Sequence, residues 1–119
     1  MSTKHYHGSC QCGAVDFDVD IDLGFTAVCN CSRCRRLGSV LAFTSPSDFT
    51  LNSGADVLTD YLFNKHTIRH QFCSVCGIEA FAFGKVPGDG SEMVAVNVNC
   101  LDGVDARSLP SKPFDGASL

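Results

Sequence analysis

Three cysteines lie close together in the first third of the chain, at Cys29, Cys31 and Cys34. Their C-x-C-x-x-C spacing is typical of a short metal-binding loop, because thiolates are strong zinc ligands and lie ~2.3 Å from the ion. One short loop can supply these sulfurs from one side only. The opposite side of the ion is then free for a small molecule, and an open position distinguishes a catalytic zinc from a structural one. The triplet therefore predicts a catalytic zinc site.

Two cysteine pairs lie far apart in the chain, Cys10 with Cys12 and Cys73 with Cys76. Glycine follows each pair, and the C-x-x-C-G segment is typical of a zinc knuckle. An extended backbone would direct residues 10 and 12 to the same side, so that both sulfurs could bind one ion. Joined, the two pairs would form a closed four-sulfur site that ties the N-terminal strand to a late hairpin and contributes directly to folding.

The spacing leaves other ligand sets open. The triplet could gain a fourth ligand from Cys100, His66 or His70 and become closed. Cys100 stands in an apolar segment predicted as a strand, where a small buried side chain is the alternative, and His70 is alternatively a hydrogen-bonded strand histidine. Free core thiols are the alternative for all eight cysteines. Their clustering beside glycines, with no secretory signal in view, favours metal ligands over free thiols or disulfides.

Arg33, Arg35 and Arg36 lie in and beside the triplet. Arginine binds carboxylates through paired hydrogen bonds, and its charge also lowers the pKa of nearby thiols. Arg33 and Arg36 are therefore candidate binding residues for an anionic substrate. The alternative is a solvated helical turn over residues 32–36, or ion pairs between these arginines and the strand aspartates. No residue in the sequence stands out as a general base.

The segments around the cysteines have the pattern of short strands. In residues 14–20, Val15, Phe17 and Val19 alternate with aspartates, which predicts a strand with one buried and one solvated face. A short helical turn is expected after Pro46, and an irregular tail from residue 102. The pattern predicts a single all-β domain over residues 1–119, with about seven short strands and a further extended segment at 67–72. The strands are expected at residues 14–20, 25–28, 39–44, 50–52, 57–63, 78–83 and 93–101.

Composition limits the classes of function. The 119 residues carry a formal net charge of −4, and nine Phe with no Trp predict a sheet-rich core filled by Phe, Val and Leu. The negative charge argues against a nucleic-acid partner. No apolar run approaches the ~18 residues of a membrane span, and the polar N-terminus has no signal-peptide pattern. We therefore expect a cytoplasmic protein without nucleic-acid or membrane partners.

Three motifs together resemble the glutathione-dependent formaldehyde-activating enzyme family, which also includes centromere protein V. They are HGSCQCG at residues 7–13, CNCSRCRR at 29–36 and FCSVCG at 72–77. Residues 96–102 are also similar to the closing strand of that family, so the resemblance covers nearly the whole chain. It implies a β-tent fold, in which sheets packed at an angle are bound by a structural zinc.

The resemblance also implies roles for single residues. Cys10, Cys12, Cys73 and Cys76 would hold the structural zinc, and Cys29, Cys31 and Cys34 the catalytic zinc. The implied activity is that of a carbon–sulfur lyase, the reversible condensation of formaldehyde or a related aldehyde with glutathione to S-hydroxymethylglutathione. Two other classes remain open: a non-catalytic zinc-scaffolded binding module, and a thiol or zinc sensor whose triplet releases zinc on oxidation.

Overall fold

The computed structural model of the chain describes residues 3–62, 68–85 and 90–118. Within them, ten strands form two sheets, and the predicted all-β, β-tent fold is confirmed. No helix among these residues is long and apolar enough to cross a membrane. The α-helical part is one turn, α1 (Cys34–Leu37). The strands are β1 (Lys4–Ser9), β2 (Asp16–Ile21), β3 (Thr26–Cys29), β4 (Leu41–Thr44), β5 (Phe49–Ser53), β6 (Leu58–Tyr61), β7 (Arg69–Cys73), β8 (Phe81–Lys85), β9 (Glu92–Asn97) and β10 (Ser111–Phe114).

The smaller sheet has three antiparallel strands in the order β1-β2-β5. The alternation predicted for β2 is confirmed, because Phe17, Val19 and Ile21 are buried while the aspartates between them keep part of their surface exposed. A strand with one apolar face must bury that face against another element. The apolar face of β2 therefore determines which side of this sheet packs on the rest of the protein.

The larger sheet has seven strands in the order β10-β3-β4-β9-β8-β7-β6. All its neighbouring strands are antiparallel except β10 and β3, which run parallel. Two of its strands end in the cysteine motifs, since Cys29 is the last residue of β3 and Cys73 is the last residue of β7. The sheet thus provides the fixed ends from which the metal-binding segments extend.

Phenylalanines join the two sheets in a core that also contains valine and leucine, as the composition predicted. Phe17 of the smaller sheet packs edge-on against Phe81 of the larger one, with ring centroids 5.6 Å apart. Phe49 stacks on Phe17 at 5.3 Å and meets Phe81 at 4.8 Å. Val94 and Val96 of β9 are fully buried in the same cluster. Aromatic pairs in these arrangements contribute beyond the area they bury, so this cluster fixes how the sheets face each other.

Several element boundaries differ from the sequence prediction. The expected strand at 93–101 ends at Asn97, and Cys100 lies in a one-turn 3-10 helix, Val98–Cys100. The expected strand at 78–83 begins only at Phe81, and the helical turn expected at 32–36 begins at Cys34. The one-turn 3-10 helix Pro46–Asp48 was predicted correctly. The strand expected at 57–63 is seen as β6, and residue 63 lies outside the described part.

Two strands were missed at the ends of the chain. Polar residues 4–9 form β1, and the tail expected to be irregular contains β10. Neither segment has apolar alternation, so neither carries the period that identifies a strand in sequence. Each pairs with a partner strand that its own sequence does not indicate, β1 with β2 and β10 with β3.

Candidate metal centres

The two cysteine pairs form one compact group, here called the four-cysteine cluster. The sulfurs of Cys10, Cys12, Cys73 and Cys76 all lie within 4.8 Å of one another. The Cys10–Cys12 and Cys12–Cys73 sulfurs are each 3.7 Å apart. Sulfurs ~2.3 Å from a tetrahedral zinc are about 3.8 Å apart. Four sulfurs at this spacing therefore fit a tetrahedral zinc ion whose four ligands all come from the protein.

Matching tight turns present these four sulfurs. Gly13 donates its N–H to the Cys10 carbonyl at 3.3 Å, and Gly77 donates to the Cys73 carbonyl at 2.7 Å. Both glycines have φ +83°, a left-handed conformation that other residues adopt at a cost. The expectation of an extended backbone at residues 10–12 is therefore wrong. A turn brings the two sulfurs together instead, and the glycine after each pair is the signal for it.

Within the four-cysteine cluster, the thiols have different pKa values when no ion is bound. Burial opposes ionisation of Cys76, but the N–H groups of Ile78 and Cys12 and the thiols of Cys10 and Cys12 lower its pKa to about 6. The N–H of Ala14 favours the Cys12 thiolate, yet burial and the neighbouring sulfurs raise the pKa of Cys12 to about 11. Several sulfurs this close cannot all ionise without a cation. A metal ion must therefore displace protons to bind here.

The sulfurs of Cys29, Cys31 and Cys34, here called the cysteine triplet, also lie within 4.8 Å of one another. Cys29 ends β3, and Cys34 begins α1. The N–H of Cys31 donates to the Cys29 sulfur at 3.4 Å, and the N–H of Cys34 donates to the Cys31 sulfur at 3.3 Å. The loop thus curls its own amides toward its sulfurs. Three converging thiols of this kind are a suitable donor set for zinc.

The three thiols of the cysteine triplet also differ in pKa. Burial opposes ionisation of Cys31, but the N–H groups of Cys34 and Arg33 and the two neighbouring thiols lower its pKa. Burial, followed by the sulfurs of Cys31 and Cys29, raises the pKa of Cys34 far above its ordinary value. Burial also raises the pKa of Cys29. Cys31 is accordingly the sulfur that ionises first.

In the part of the chain that the structure describes, no other Cys, His, Asp or Glu joins the cysteine triplet. Cys100 lies by the four-cysteine cluster, where burial and the sulfurs of Cys10 and Cys76 raise its pKa to about 11. The hypothesis that Cys100 completes the triplet is therefore wrong. His70 is the hydrogen-bonded strand histidine of the alternative interpretation, and His66 lies outside the described residues.

The C-terminal segment packs on the cysteine triplet, a contact that the sequence did not reveal. The N–H of Asn30 donates to the Phe114 carbonyl at 3.1 Å. The Asn30 side chain donates to Asp115 and accepts the N–H of Ala117, both at 2.9 Å. A Cβ added to Gly116 would lie 2.4 Å from the Cys29 sulfur. This segment therefore forms one wall of the site and leaves no room there for a larger residue.

A groove of about 350 Å³ lies beside the loop of the triplet. Both predicted binding arginines line it, and the Arg36 guanidinium donates to the Ser32 carbonyl at 2.7 Å. Arg35 is exposed on α1 and does not line it. The groove residues are Ser32, Arg33, Arg36, Leu37 and Tyr61.

Arg33 reaches from the triplet loop to Tyr61 of β6 and to Glu79, which lies just before β8. Its Nε donates to Glu79 Oε1 at 2.8 Å, and its guanidinium carbon lies 4.5 Å from the centroid of the Tyr61 ring. The other carboxylate oxygen of Glu79 lies 2.9 Å from His70 Nδ1, and both side chains are buried. Glu79 was not predicted as a site residue from the sequence. Its signal was a single charged residue inside the apolar segment that leads into β8.

The aspartates of β2 do not pair with the arginines, so that alternative is wrong. His7 binds Asp16 at 2.7 Å and Asp102 at 2.5 Å, and His5 binds Asp18 and Asp20. The hydrogen bonds that His7 donates to the carboxylates of Asp102 and Asp16 raise the pKa of His7 to about 9. The histidines of β1 thus pair with the aspartates of β2 on the exposed face of the smaller sheet.

Comparison with known proteins gives two findings. A family model described as glutathione-dependent formaldehyde-activating enzyme matches residues 5–113. Among solved structures, the crystal structure of a Rhodobacter sphaeroides protein is similar, with 34% identity and a TM-score of 0.77. The alignment covers 89% of this chain and 99% of that chain.

Proposed function

This chain belongs to the glutathione-dependent formaldehyde-activating enzyme family, and from that premise we propose that it is a zinc-dependent carbon–sulfur lyase. The reaction is the reversible addition of a thiol across the carbonyl of formaldehyde. In the forward direction the sulfur of glutathione forms a bond to the aldehyde carbon, and the thiol proton ends on the carbonyl oxygen, which gives S-hydroxymethylglutathione. No oxidant or reductant is required. The same site would catalyse the reverse cleavage.

The proposal assigns the two cysteine groups different tasks. Cys10, Cys12, Cys73 and Cys76 would hold a structural zinc, because four sulfurs within 4.8 Å of one another supply the number of ligands that a structural zinc takes. Cys29, Cys31 and Cys34 would hold the catalytic zinc, and they supply three sulfurs. When bound there, zinc supplies a Lewis acid with affinity for sulfur and for a carbonyl oxygen. Three thiolate ligands make that acid softer than one held by histidines, which suits a thiol substrate.

The residues around the cysteine triplet would bind and orient the substrate. Arg33 and Arg36 line the groove beside it, where they can bind the carboxylates of glutathione. The C-terminal segment occupies the side next to Cys29, since Gly116 packs against its sulfur. A substrate would therefore approach from the groove, with its thiol toward the triplet and its carboxylates on the arginines. Holding the thiol in place lowers the entropic barrier to its addition.

One observation carries the proposal: the described residues offer the triplet three sulfurs and no fourth ligand, next to a groove with two arginines. The test compares wild type with Cys31→Ser, using Cys100→Ser as a thiol control outside both groups. Zinc content is measured by elemental analysis, and turnover by exchange NMR between glutathione and S-hydroxymethylglutathione.

We expect two zinc ions per wild-type chain, and loss of the triplet zinc together with turnover in Cys31→Ser. Cys100→Ser should keep both metals and its activity. If Cys31→Ser kept full turnover, the catalytic assignment would fail. If wild type held both metals but showed no turnover, and oxidation released one of them, the sensor hypothesis would replace the enzyme.

A further inference from the structure

Glu79 is a buried carboxylate that lies just before β8 and outside both cysteine groups. Its side chain is 8% exposed, and a carboxyl group in that setting needs charged or hydrogen-bonding partners to replace the water it has lost. It has them in Arg33 and His70, one at each oxygen. Its backbone is fixed as well, because Asn97 donates from its side-chain amide to the Glu79 carbonyl at 3.1 Å. Glu79 therefore holds a well-defined position.

Arg33 links this carboxylate directly to the groove. Its Nε donates to Glu79 Oε1 at 2.8 Å, and its guanidinium carbon lies 4.5 Å from the centroid of the Tyr61 ring. Its side chain is 22% exposed and lines the groove. In the described part of the chain, its two terminal nitrogens have no hydrogen-bond partner. A guanidinium whose Nε is occupied still offers the paired donors of those nitrogens to one further carboxylate.

We infer that Glu79 is a positioning residue, which fixes Arg33 so that the groove binds a carboxylate carried by the thiol substrate. The inference rests on the proposed function and deepens it, because it assigns to Glu79 the orientation of an arginine that binds a substrate carboxylate. Arg36 adds a second positive charge to the same groove. If the Arg33–Glu79 pair only held the triplet loop to the sheet, its loss would reduce activity equally with all thiol substrates.

The test measures binding of S-methylglutathione, which keeps both carboxylates of glutathione but has no free thiol. Calorimetry on zinc-loaded protein compares wild type with Glu79→Gln, which keeps the size of the side chain and removes its charge. We expect the dissociation constant to rise about 10- to 100-fold, the effect of losing a charge-assisted hydrogen bond that orients the guanidinium. Glu92→Gln, the same change at an exposed position that begins β9, should bind as wild type does.

A second variant covers the case in which Glu79→Gln does not fold. Arg33→Lys keeps the positive charge beside Glu79 but lacks the paired donors of the guanidinium, and it should weaken S-methylglutathione binding to a similar degree. In turnover, the ratio of kcat/KM for glutathione to that for 2-mercaptoethanol, which has no carboxylate, should fall in both variants. Zinc content should equal that of wild type.

The outcomes separate the inference from the function on which it rests. Equal binding of S-methylglutathione by wild type and Glu79→Gln, no binding by wild type, or a loss shared by Glu92→Gln overturns the inference. If no thiol is turned over while Glu79→Gln still loses binding, the lyase proposal fails and the role of Glu79 stands.

Discussion

Replacing Gly116 with alanine should weaken zinc binding at the cysteine triplet and spare the four-cysteine cluster. The added Cβ would lie 2.4 Å from the Cys29 sulfur, where ordinary contact begins at 3.4 Å. Either the sulfur or the C-terminal segment must therefore move by about 1 Å, and overpacking of this kind costs about 1–3 kcal/mol. The hydrogen bonds from Asn30 to residues 114–117 resist movement of the segment. Since about 1.4 kcal/mol is a factor of ten in affinity, the triplet should bind zinc about 5- to 150-fold more weakly.

The assay is a competition titration against a chromophoric chelator, which resolves the two zinc affinities. Gly84→Ala is the matched control, because its added Cβ would meet Ile68 at 3.4 Å, an ordinary contact. Neither Gly84 nor Gly116 has a positive φ, so backbone strain affects neither variant. The reasoning is refuted if Gly116→Ala and Gly84→Ala bind zinc alike at the triplet, or if Gly116→Ala weakens both sites equally.

Two further predictions concern the smaller sheet. The pKa of His7 is raised to about 9 by its hydrogen bonds with Asp102 and Asp16, so these pairs stabilise the fold fully below the unfolded pKa of about 6.5 and lose this effect as the pH rises through about 9. The free energy of unfolding of zinc-loaded protein, measured from about pH 6.5 to above about pH 9, should fall in wild type and stay level in His7→Gln. The same pH dependence in both proteins would contradict this prediction. Phe17→Ala should lower the free energy of unfolding by about 3–5 kcal/mol, because Phe17 is fully buried. Phe25→Ala, at a ring 51% exposed, should change it by less than about 1 kcal/mol, and similar losses in the two variants would show that burial does not set the effect.

The parts of the fold that sequence predicts are those with a local signal. The alternation around Phe17 in β2 has the period of a half-buried strand, and Pro46 marks a one-turn helix. The spacing of the cysteines, with the glycine after each pair, predicts that the two sulfurs of a pair lie close together, because one turn of a few residues suffices to bring them there. The grouping of Cys10 and Cys12 with Cys73 and Cys76 came from resemblance, since the spacing itself permitted other sets.

The parts that sequence misses depend on contacts between distant segments. Glu79 meets Arg33 across 46 residues, and neither side chain indicates the other in the sequence. The contact of Gly116 with Cys29 arises because β10 pairs with β3 in parallel. Backbone pairing of this kind is independent of side-chain pattern, so the segment looks irregular until its partner is known.

The parallel strand at the end of the chain also affects how this protein behaves at high concentration. β10 is the outermost strand of the larger sheet, and Phe114 turns its carbonyl inward to Asn30. By alternation, Pro113 then directs its nitrogen outward, where it has no hydrogen to donate to an arriving chain. Lys112 adds a charge that would have to be desolvated. Without this strand, β3 would present its open hydrogen-bonding groups to other molecules. The C-terminal segment that forms one wall of the triplet site thus begins with a strand that covers an edge prone to aggregation.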